Sequence, residues 1–374
     1  MSGLVLANYR RLVVKVGSSL LVGNDGQLNR AWLEKLADDV AMLASRDHEV
    51  LIVSSGAIAI GSLVLGINKR RARLEELQAA AAAGQVQLVH AYQEALRRHK
   101  IVAAQILLTP DDTENRRRFL NVRRTLGKLI ERSVVPVINE NDTVATEEIR
   151  YGDNDRLAAR IAQLVMADAL ILLSDVDGFY TADPATRDDA VHIPEVTTID
   201  NDTLAMAGET RSDVGTGGMA TKVQAASIAT RAGCSTIITS GVIDHPLQAL
   251  NDGARCTIFR ASATPAAVRK QWLAGALEVR GELRLDDGAV RALSGGGSLL
   301  SVGVTAVSGN FCRGDVVTLK DAAGKDIGRG LAEYSADEAM RLVGIRSDEI
   351  EAVLGYRGRA SMVHRDELVL FEHD

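Results

Sequence analysis

The sequence predicts an α/β domain built on a mostly parallel central sheet with helices on both faces, in three layers, followed by a smaller β-rich domain. Three observations carry this expectation. From residue 11 to about residue 260, short β-branched or aliphatic runs alternate with longer amphipathic stretches, the pattern of parallel strands joined by crossover helices. The stretch "ASATPAAVRKQWLAGALEVRG", 261–281, breaks that alternation. Beyond it glycines are frequent and the apolar runs are short ("SLLSVGVTAV", "DVVTLK", "MVHRDELVLF"), which reads as a compact β-rich unit. The expected bounds are 1–262 for the first domain, 263–280 for a connection and 281–374 for the second domain.

The elements follow in order. "RLVVKVG" is the first strand and ends with Lys15 and Gly17. "EVLIVSSG" is the second and runs into "SSGAIAIG", with Ser54, Ser55 and Gly56 at the turn. The alanine run "QAAAAAGQ", 78–85, reads as a closely packed helix. "IVAAQILLT" is the third strand, and "ENRRRFLNVRRT", 114–125, reads as a solvated basic helix face, with an oligomer or regulatory surface as the alternative. "VVPVINEND" brings Asn139, Asn141 and Asp142 to a strand end, and "YGDNDRLAA" opens a helix with Asp153, Asn154 and Asp155. "LLSDVDGFYTADP" ends another strand with Ser174, Asp175 and Asp177. "GTGGMATKVQAASIATRAG", 215–233, places a glycine-rich loop and Lys222 ahead of a helix, and "STIITSG" supplies a further strand.

Composition narrows the function classes. Hydrophobic residues make up 46% of the 374 and charged residues 25%, an ordinary globular balance. The net charge of −6 argues against a general binder of nucleic acid or anionic membrane. No apolar run reaches membrane-spanning length, and "MSGLVLANYRRLVVKVG" lacks the features of a signal peptide, so a cytoplasmic location is expected. Cys234, Cys256 and Cys312 are widely spaced without a disulfide or zinc pattern and read as packing residues.

Taken singly, each polar segment has a plain structural reading. A lysine after a first strand is commonly a solvated edge. "SSGA" also serves as a tight strand-to-helix turn, "GDND" as an N-cap with acidic residues favouring the helix dipole, and "VDGFYTADP" as turn chemistry. "GTGGMATK" fails the P-loop pattern, because Val223 follows Lys222. Together, however, two lysines, glycine-rich helix starts and polar strand ends make a site for a polyanion, since ligands of open α/β sheets lie beyond the carboxyl ends of the strands. The carboxylates suit placing lysines, binding an amine or helping to hold Mg²⁺. None of these loops offers a histidine or cysteine as base or nucleophile. Phosphoryl transfer needs neither, being largely positioning and charge stabilisation, and an acceptor carboxylate is already ionised at neutral pH.

The segments "VVKVGSS", "SSGAIAIG", "PVINENDTVA", "GDND", "SDVDGFYTADP" and "GTGGMATK" resemble, in order and spacing, the glutamate 5-kinases of the amino acid kinase superfamily. "GNFCRGDVV" and "LGYRGRASMVHRDELVL" resemble the PUA domain that many bacterial members carry. The resemblance implies ATP-dependent phosphorylation of the side-chain carboxylate of L-glutamate to L-glutamate 5-phosphate, the first step of proline synthesis from glutamate. It assigns Lys15 and Lys222 to the transferring phosphoryl group and Asp155 to holding them. Ser55, Asp142 and Asn154 would bind glutamate, with Asn139 and Gly56 nearby and Asp142 suited to the ammonium group. ATP would be bound by Lys15, Ser174, Asp175, Thr216, Gly217, Gly218, Met219, Ala220, Thr221 and Lys222. Where this chain has Ser174, threonine is common in the family, a change that keeps the hydroxyl. The resemblance further implies Mg²⁺ dependence, a homo-oligomer, feedback inhibition by proline, and glutamate-5-phosphate reductase as a partner. It also places a helix at the alanine run near the substrate pocket.

Three other readings are weighed. An aspartate, acetylglutamate or carbamate kinase shares the architecture, and the "INEND" and "GDND" loops favour glutamate over these. A role in RNA binding is suggested by PUA domains in general. Residues 281–374, however, hold 11 lysines and arginines against 16 aspartates and glutamates, a net charge of −5, so RNA is not expected as a partner. A catalytically silent amino acid sensor has no need of two lysines and Asp155.

Overall fold

The computed structural model describes residues 6–23, 25–69, 71–144, 154–208, 218–276 and 278–371. The chain divides into two compact units, 1–265 and 266–374.

In the first unit, β1 (Arg11–Val16) is followed by a short turn of helix, α1 (Ser18–Leu21), and by α2 (Arg30–Ala44). Then come β2 (Glu49–Ser54), α3 (Ala57–Val64), α4 (Leu74–Arg97) and β3 (Ala103–Leu108). Next are α5 (Pro110–Glu114), α6 (Arg116–Glu131), β4 (Val135–Glu140), α7 (Asn154–Val165) and β5 (Ala169–Ser174). A small hairpin, β6 (Phe179–Tyr180) with β7 (His192–Ile193), precedes β8 (Glu195–Val196) and α8 (Asn201–Met206). The unit closes with α9 (Met219–Arg231), β9 (Ser235–Ser240), α10 (Pro246–Asn251) and β10 (Cys256–Phe259).

Eight of these strands form one sheet in the order β3-β4-β2-β1-β5-β9-β10-β8, with every pairing parallel except β9 with β10. Strand β1 sits inside, paired with β2 on one side and β5 on the other. That is why five of its six residues are buried and why "LVVKV" is nearly continuous in apolar character. The two-residue period of a strand then sorts the core into two halves. Leu12, Val14 and Val16 pack with α2 and α4, while Val13 packs with α7 and α9. Lys15, two residues beyond Val13, shares that second face. The expected three-layer arrangement is therefore the observed one.

On the first face, α3 and α4 cross at backbone distance. A Cβ on Gly61 would stand 1.7 Å from the Ala80 carbonyl oxygen, and one on Gly84 would stand 1.9 Å from that of Ala57. Only hydrogen fits at either position, and the alanines around Gly84 give the approach its room. The basic segment expected at 114–125 forms the start of α6, capped by Asn115, which accepts from the N–H groups of Arg117 and Arg118.

The second unit carries most of α11 (Pro265–Ala274), which lies within the stretch read as a connection. Leu273 is buried there, and Arg269 ion-pairs with Glu367. Its remaining elements are β11 (Gly281–Leu285), α12 (Asp287–Ser294), β12 (Leu299–Leu300), β13 (Val304–Gly309), β14 (Val316–Lys320) and β15 (Asp326–Leu331). They are followed by α13 (Ala336–Arg341), α14 (Ile350–Leu354), β16 (Ser361–Val363) and β17 (Leu368–Leu370). A five-stranded sheet, β13-β11-β14-β15-β17, encloses one core, and β12 pairs with β16. The run "MVHRDELVLF" is two short strands rather than one, because Arg365–Glu367 turns as a 3₁₀ helix between them. The cysteines also divide: Cys234 is buried, whereas Cys312 is exposed and is not a packing residue.

Candidate active site

The carboxyl ends of β1, β2, β4 and β5 lie along one edge of the sheet, and the polar residues gather there. At the centre is Asp155, in the first turn of α7 and fully buried. It projects from the helix face that also carries Ala158, Ala159 and Ala162, at the three- and four-residue spacings that stack side chains on one side. Lys15 Nζ lies 2.6 Å from Asp155 Oδ1, and Lys222 Nζ lies 3.2 Å from Oδ2. Lys15 and Lys222 are themselves only 7% and 5% exposed.

Two buried ammonium groups thus share one buried carboxylate, which leaves a net positive charge in surroundings that screen it weakly. Burial works to raise the pKa of Asp155, but the charges of Lys15 and Lys222 outweigh it and hold the carboxyl below its usual range. Its stabilising contribution is therefore complete above that usual range and is lost as pH falls through the depressed value.

Lys222 belongs to a helix rather than to the loop before it. Glycines can delay a helix but do not set where it begins, and α9 starts at Met219 after Gly218. Met219, Ala220, Thr221 and Lys222 form its first turn. Thr221 Oγ1 donates to the Gly218 carbonyl at 2.7 Å, closing that turn. Lys222 then shares a buried face with Ala226 and Ala229, and α9 packs beside α7. Thr216 and Gly217, expected in the nucleotide loop, lie outside the described residues, as does Asp153.

Of the residues expected to bind nucleotide, Ser174 ends β5, where it pairs with Ser240 of β9, and its hydroxyl donates to Asp175 Oδ1 at 2.9 Å. Asp177 is set apart from this group, since it accepts from the Tyr180 hydroxyl at 2.7 Å and from Arg255 at 3.2 Å. Its role is to fasten the turn.

A second cluster lies at the ends of β2 and β4. Asn154 Nδ2 is 2.6 Å from Ser55 Oγ, 3.1 Å from the Ser54 carbonyl and 3.0 Å from Asn139 Oδ1. Gly56 turns the chain from β2 into α3 with φ of 107°, a conformation cheap only for glycine. Asp142 lies in a 3₁₀ turn that packs against α4, and burial pushes its carboxyl up to about 6. Because Asn154 and Asp155 are neighbours on α7, the two clusters meet at one helix start.

Gln85 was not among the expected residues. Its Oε1 accepts from Asn139 Nδ2 at 2.9 Å, extending the second cluster onto α4. The signal in the sequence is a lone polar side chain on the buried stripe Ala81, Gly84, Gln85, Leu88 and Tyr92. Tyr92 lies on the same stripe and shares a 3.0 Å hydrogen bond with the Ser54 hydroxyl.

Comparison with known proteins identifies the family. The amino acid kinase family profile matches residues 10–240, and that of the PUA domain matches residues 281–354. Glutamate 5-kinase of Paramagnetospirillum magneticum is 56% identical over 366 residues, covering 98% of this chain and 99% of that protein. Glutamate 5-kinase 1 of Mesorhizobium japonicum is 54% identical over 365 residues, covering 98% and 97%. Glutamate 5-kinase of Rhizobium etli strain CIAT 652 is 53% identical over 365 residues, covering 98% and 94%. With kinship of this depth along nearly its whole length, the chain belongs to the amino acid kinase family, in its glutamate 5-kinase branch with an appended PUA domain.

Proposed function

We propose that this protein transfers the γ-phosphoryl group of ATP to the side-chain carboxylate of L-glutamate, giving L-glutamate 5-phosphate for proline synthesis. The observation that carries the reading is the buried Lys15–Asp155–Lys222 cluster, which adjoins the amide-rich cluster of Ser55, Asn139 and Asn154 at the start of α7.

An oxygen of the glutamate side chain attacks phosphorus, the bond from phosphorus to the bridging oxygen of ADP breaks, and ADP leaves with the electron pair. The attacking group is ionised at neutral pH, so no base is needed. Lys15 and Lys222 stabilise the charge spread over the phosphoryl oxygens, and Asp155 holds both ammonium groups in place before substrate arrives. The start of α9 offers its first N–H groups to the nucleotide phosphates, with Ser174, Asp175 and Thr216 to Thr221 completing that side. Ser55, Gly56, Asn139 and Asn154 bind glutamate, and Asp142 takes its ammonium group.

Among the described residues no three histidine, cysteine or carboxylate side chains converge as a metal cage. Magnesium would accompany the ATP phosphates, and Asp175 is the carboxylate that would help to hold it. When bound, it neutralises charge on the β- and γ-phosphates. Proline shares glutamate's α-carboxylate and carries a cationic amine, so feedback inhibition at the same pocket belongs to this reading. A homo-oligomeric state, a cytoplasmic location and handover of the labile product to glutamate-5-phosphate reductase belong to it as well.

The test is ATP-dependent acyl hydroxamate formation with hydroxylamine and Mg²⁺, comparing L-glutamate with aspartate, acetylglutamate and bicarbonate. A signal with glutamate alone is expected. A signal only with another acceptor would move the substrate assignment, and silence with all four would favour a sensor.

Asp142 predicts a pH dependence. Only its ionised form pairs with an ammonium group, and its carboxyl takes up a proton near pH 6. The KM for glutamate is therefore expected to rise as pH falls through 6, approaching about tenfold per pH unit well below it. Initial rates across pH 5 to 8 measure this, and Asp142→Asn should flatten the profile at a uniformly high KM.

A further inference from the structure

The side-chain amides of the acceptor cluster form a chain with a fixed direction. Its polarity is set by two backbone groups. The N–H of Glu140 can only donate, and it meets Asn139 Oδ1 at 2.9 Å. The carbonyl of Ser54 can only accept, and it meets Asn154 Nδ2 at 3.1 Å. With Asn139 presenting its oxygen to Glu140 and Asn154, its Nδ2 must face Gln85, and Gln85 must answer with Oε1.

That answer leaves Gln85 Nε2 buried without a hydrogen-bond partner among the described residues, in a side chain only 7% exposed. An unsatisfied buried amide is destabilising. Turning the amide over would not recover the cost, because two NH₂ groups would then face each other. A glutamate here would accept equally well, but would place a negative charge beneath a pocket for an anionic substrate. A methionine would fill the space but offer only a thioether sulfur, a weak acceptor. Glutamine accepts without charge, and the orphaned Nε2 accompanies that choice.

The direction has a consequence at the far end. Asn154 Nδ2 has two hydrogens for three nearby acceptors, and its shortest contact, 2.6 Å, is to Ser55 Oγ; an amide nitrogen only donates, so the serine oxygen accepts there and keeps its own proton to give. We propose that Gln85 is a positioning residue for the acceptor substrate. Through Asn139 and Asn154 it orients the Ser55 hydroxyl as a donor to a substrate carboxylate. This rests on the function proposed above, but only on the acceptor being a carboxylate.

The experiment is a double-mutant cycle on the full chain between Gln85→Met and Asn154→Ala, read by initial rates and by calorimetric titration of glutamate. Gln85→Met should raise the glutamate KM and dissociation constant about five- to tenfold, the effect of one well-made hydrogen bond, with the KM for ATP unchanged. Its melting temperature should move by less than about 3 °C, because one orphaned amide group replaces another. In the Asn154→Ala background the same substitution should change glutamate affinity by less than about twofold, the mark of residues acting in series. Equal loss for ATP and glutamate, additive effects, or an unchanged glutamate KM would each overturn the inference. Should Gln85→Met fail to fold, Gln85→Asn withdraws the acceptor by one methylene and carries the same expectations. Hydroxamate formation by the unsubstituted chain is measured first. If another carboxylate proves to be the acceptor, the cycle is run with that substrate, so the two conclusions fail separately.

Discussion

Asp155→Asn is expected to lower both stability and turnover, and ATP is expected to restore part of the first. Asp155 is fully buried between two nearly buried lysines. Asparagine keeps one acceptor oxygen but removes the charge, so two ammonium groups are left buried with a neutral partner. Breaking a buried ion pair in this way costs about 3–5 kcal/mol, and melting followed by circular dichroism should show a correspondingly early transition. The lysines would also lose the brace that aims them, and kcat should drop at least about 10²-fold. The triphosphate supplies negative charge where the carboxylate did. Saturating ATP should therefore raise the melting temperature of the variant more than that of the parent. A variant that melts with the parent would refute the ion-pair account of this site.

Lys222→Ala should act on turnover with little effect on glutamate. The ammonium group belongs to α9, assigned to the phosphoryl group, whereas the residues assigned to glutamate belong to the turn after β2, to β4, to α7 and to the turn after β4. A loss of about 10²–10³ in kcat is expected, the size found when one preorganised donor to a developing charge is removed. Calorimetry should give a glutamate dissociation constant within about twofold of the parent. Loss of both in equal measure would place Lys222 in substrate binding instead.

How much of this was legible in the sequence follows from what each residue depends on. The sheet was legible because parallel strands buried on both faces leave unbroken apolar runs. Lys15, Ser55, Asn139 and Ser174 were legible as candidates because each interrupts or ends such a run. Their convergence with Asp155 and Lys222 depends on strand order, since β5 and β2 flank β1 although more than a hundred residues separate them in sequence. Family resemblance assigned these residues to one site where spacing could not. Lys222 was expected in a loop because glycines mark flexibility without marking where a helix takes over. Gln85 was hidden by its neighbours: an alanine run announces tight packing, and a polar residue within it shows its purpose only once the fold puts Asn139 beside it. The 3₁₀ break at Arg365–Glu367 was hidden because its flanks read as one strand.

The glycine crossing of α3 and α4 sets the tolerance to which the acceptor pocket is made. Gly56 leads into α3 at one side of the pocket, and Gln85 sits one residue beyond Gly84 on α4 at the other. Helices separated by side chains can shift as those side chains change, but here backbone meets backbone and there is no compressible layer between them. Any residue larger than glycine at 61 or 84 must therefore push α3 and α4 apart, and with them Gly56 and Gln85, so these two positions, which carry no functional group, limit how far the proposed substrate site can drift.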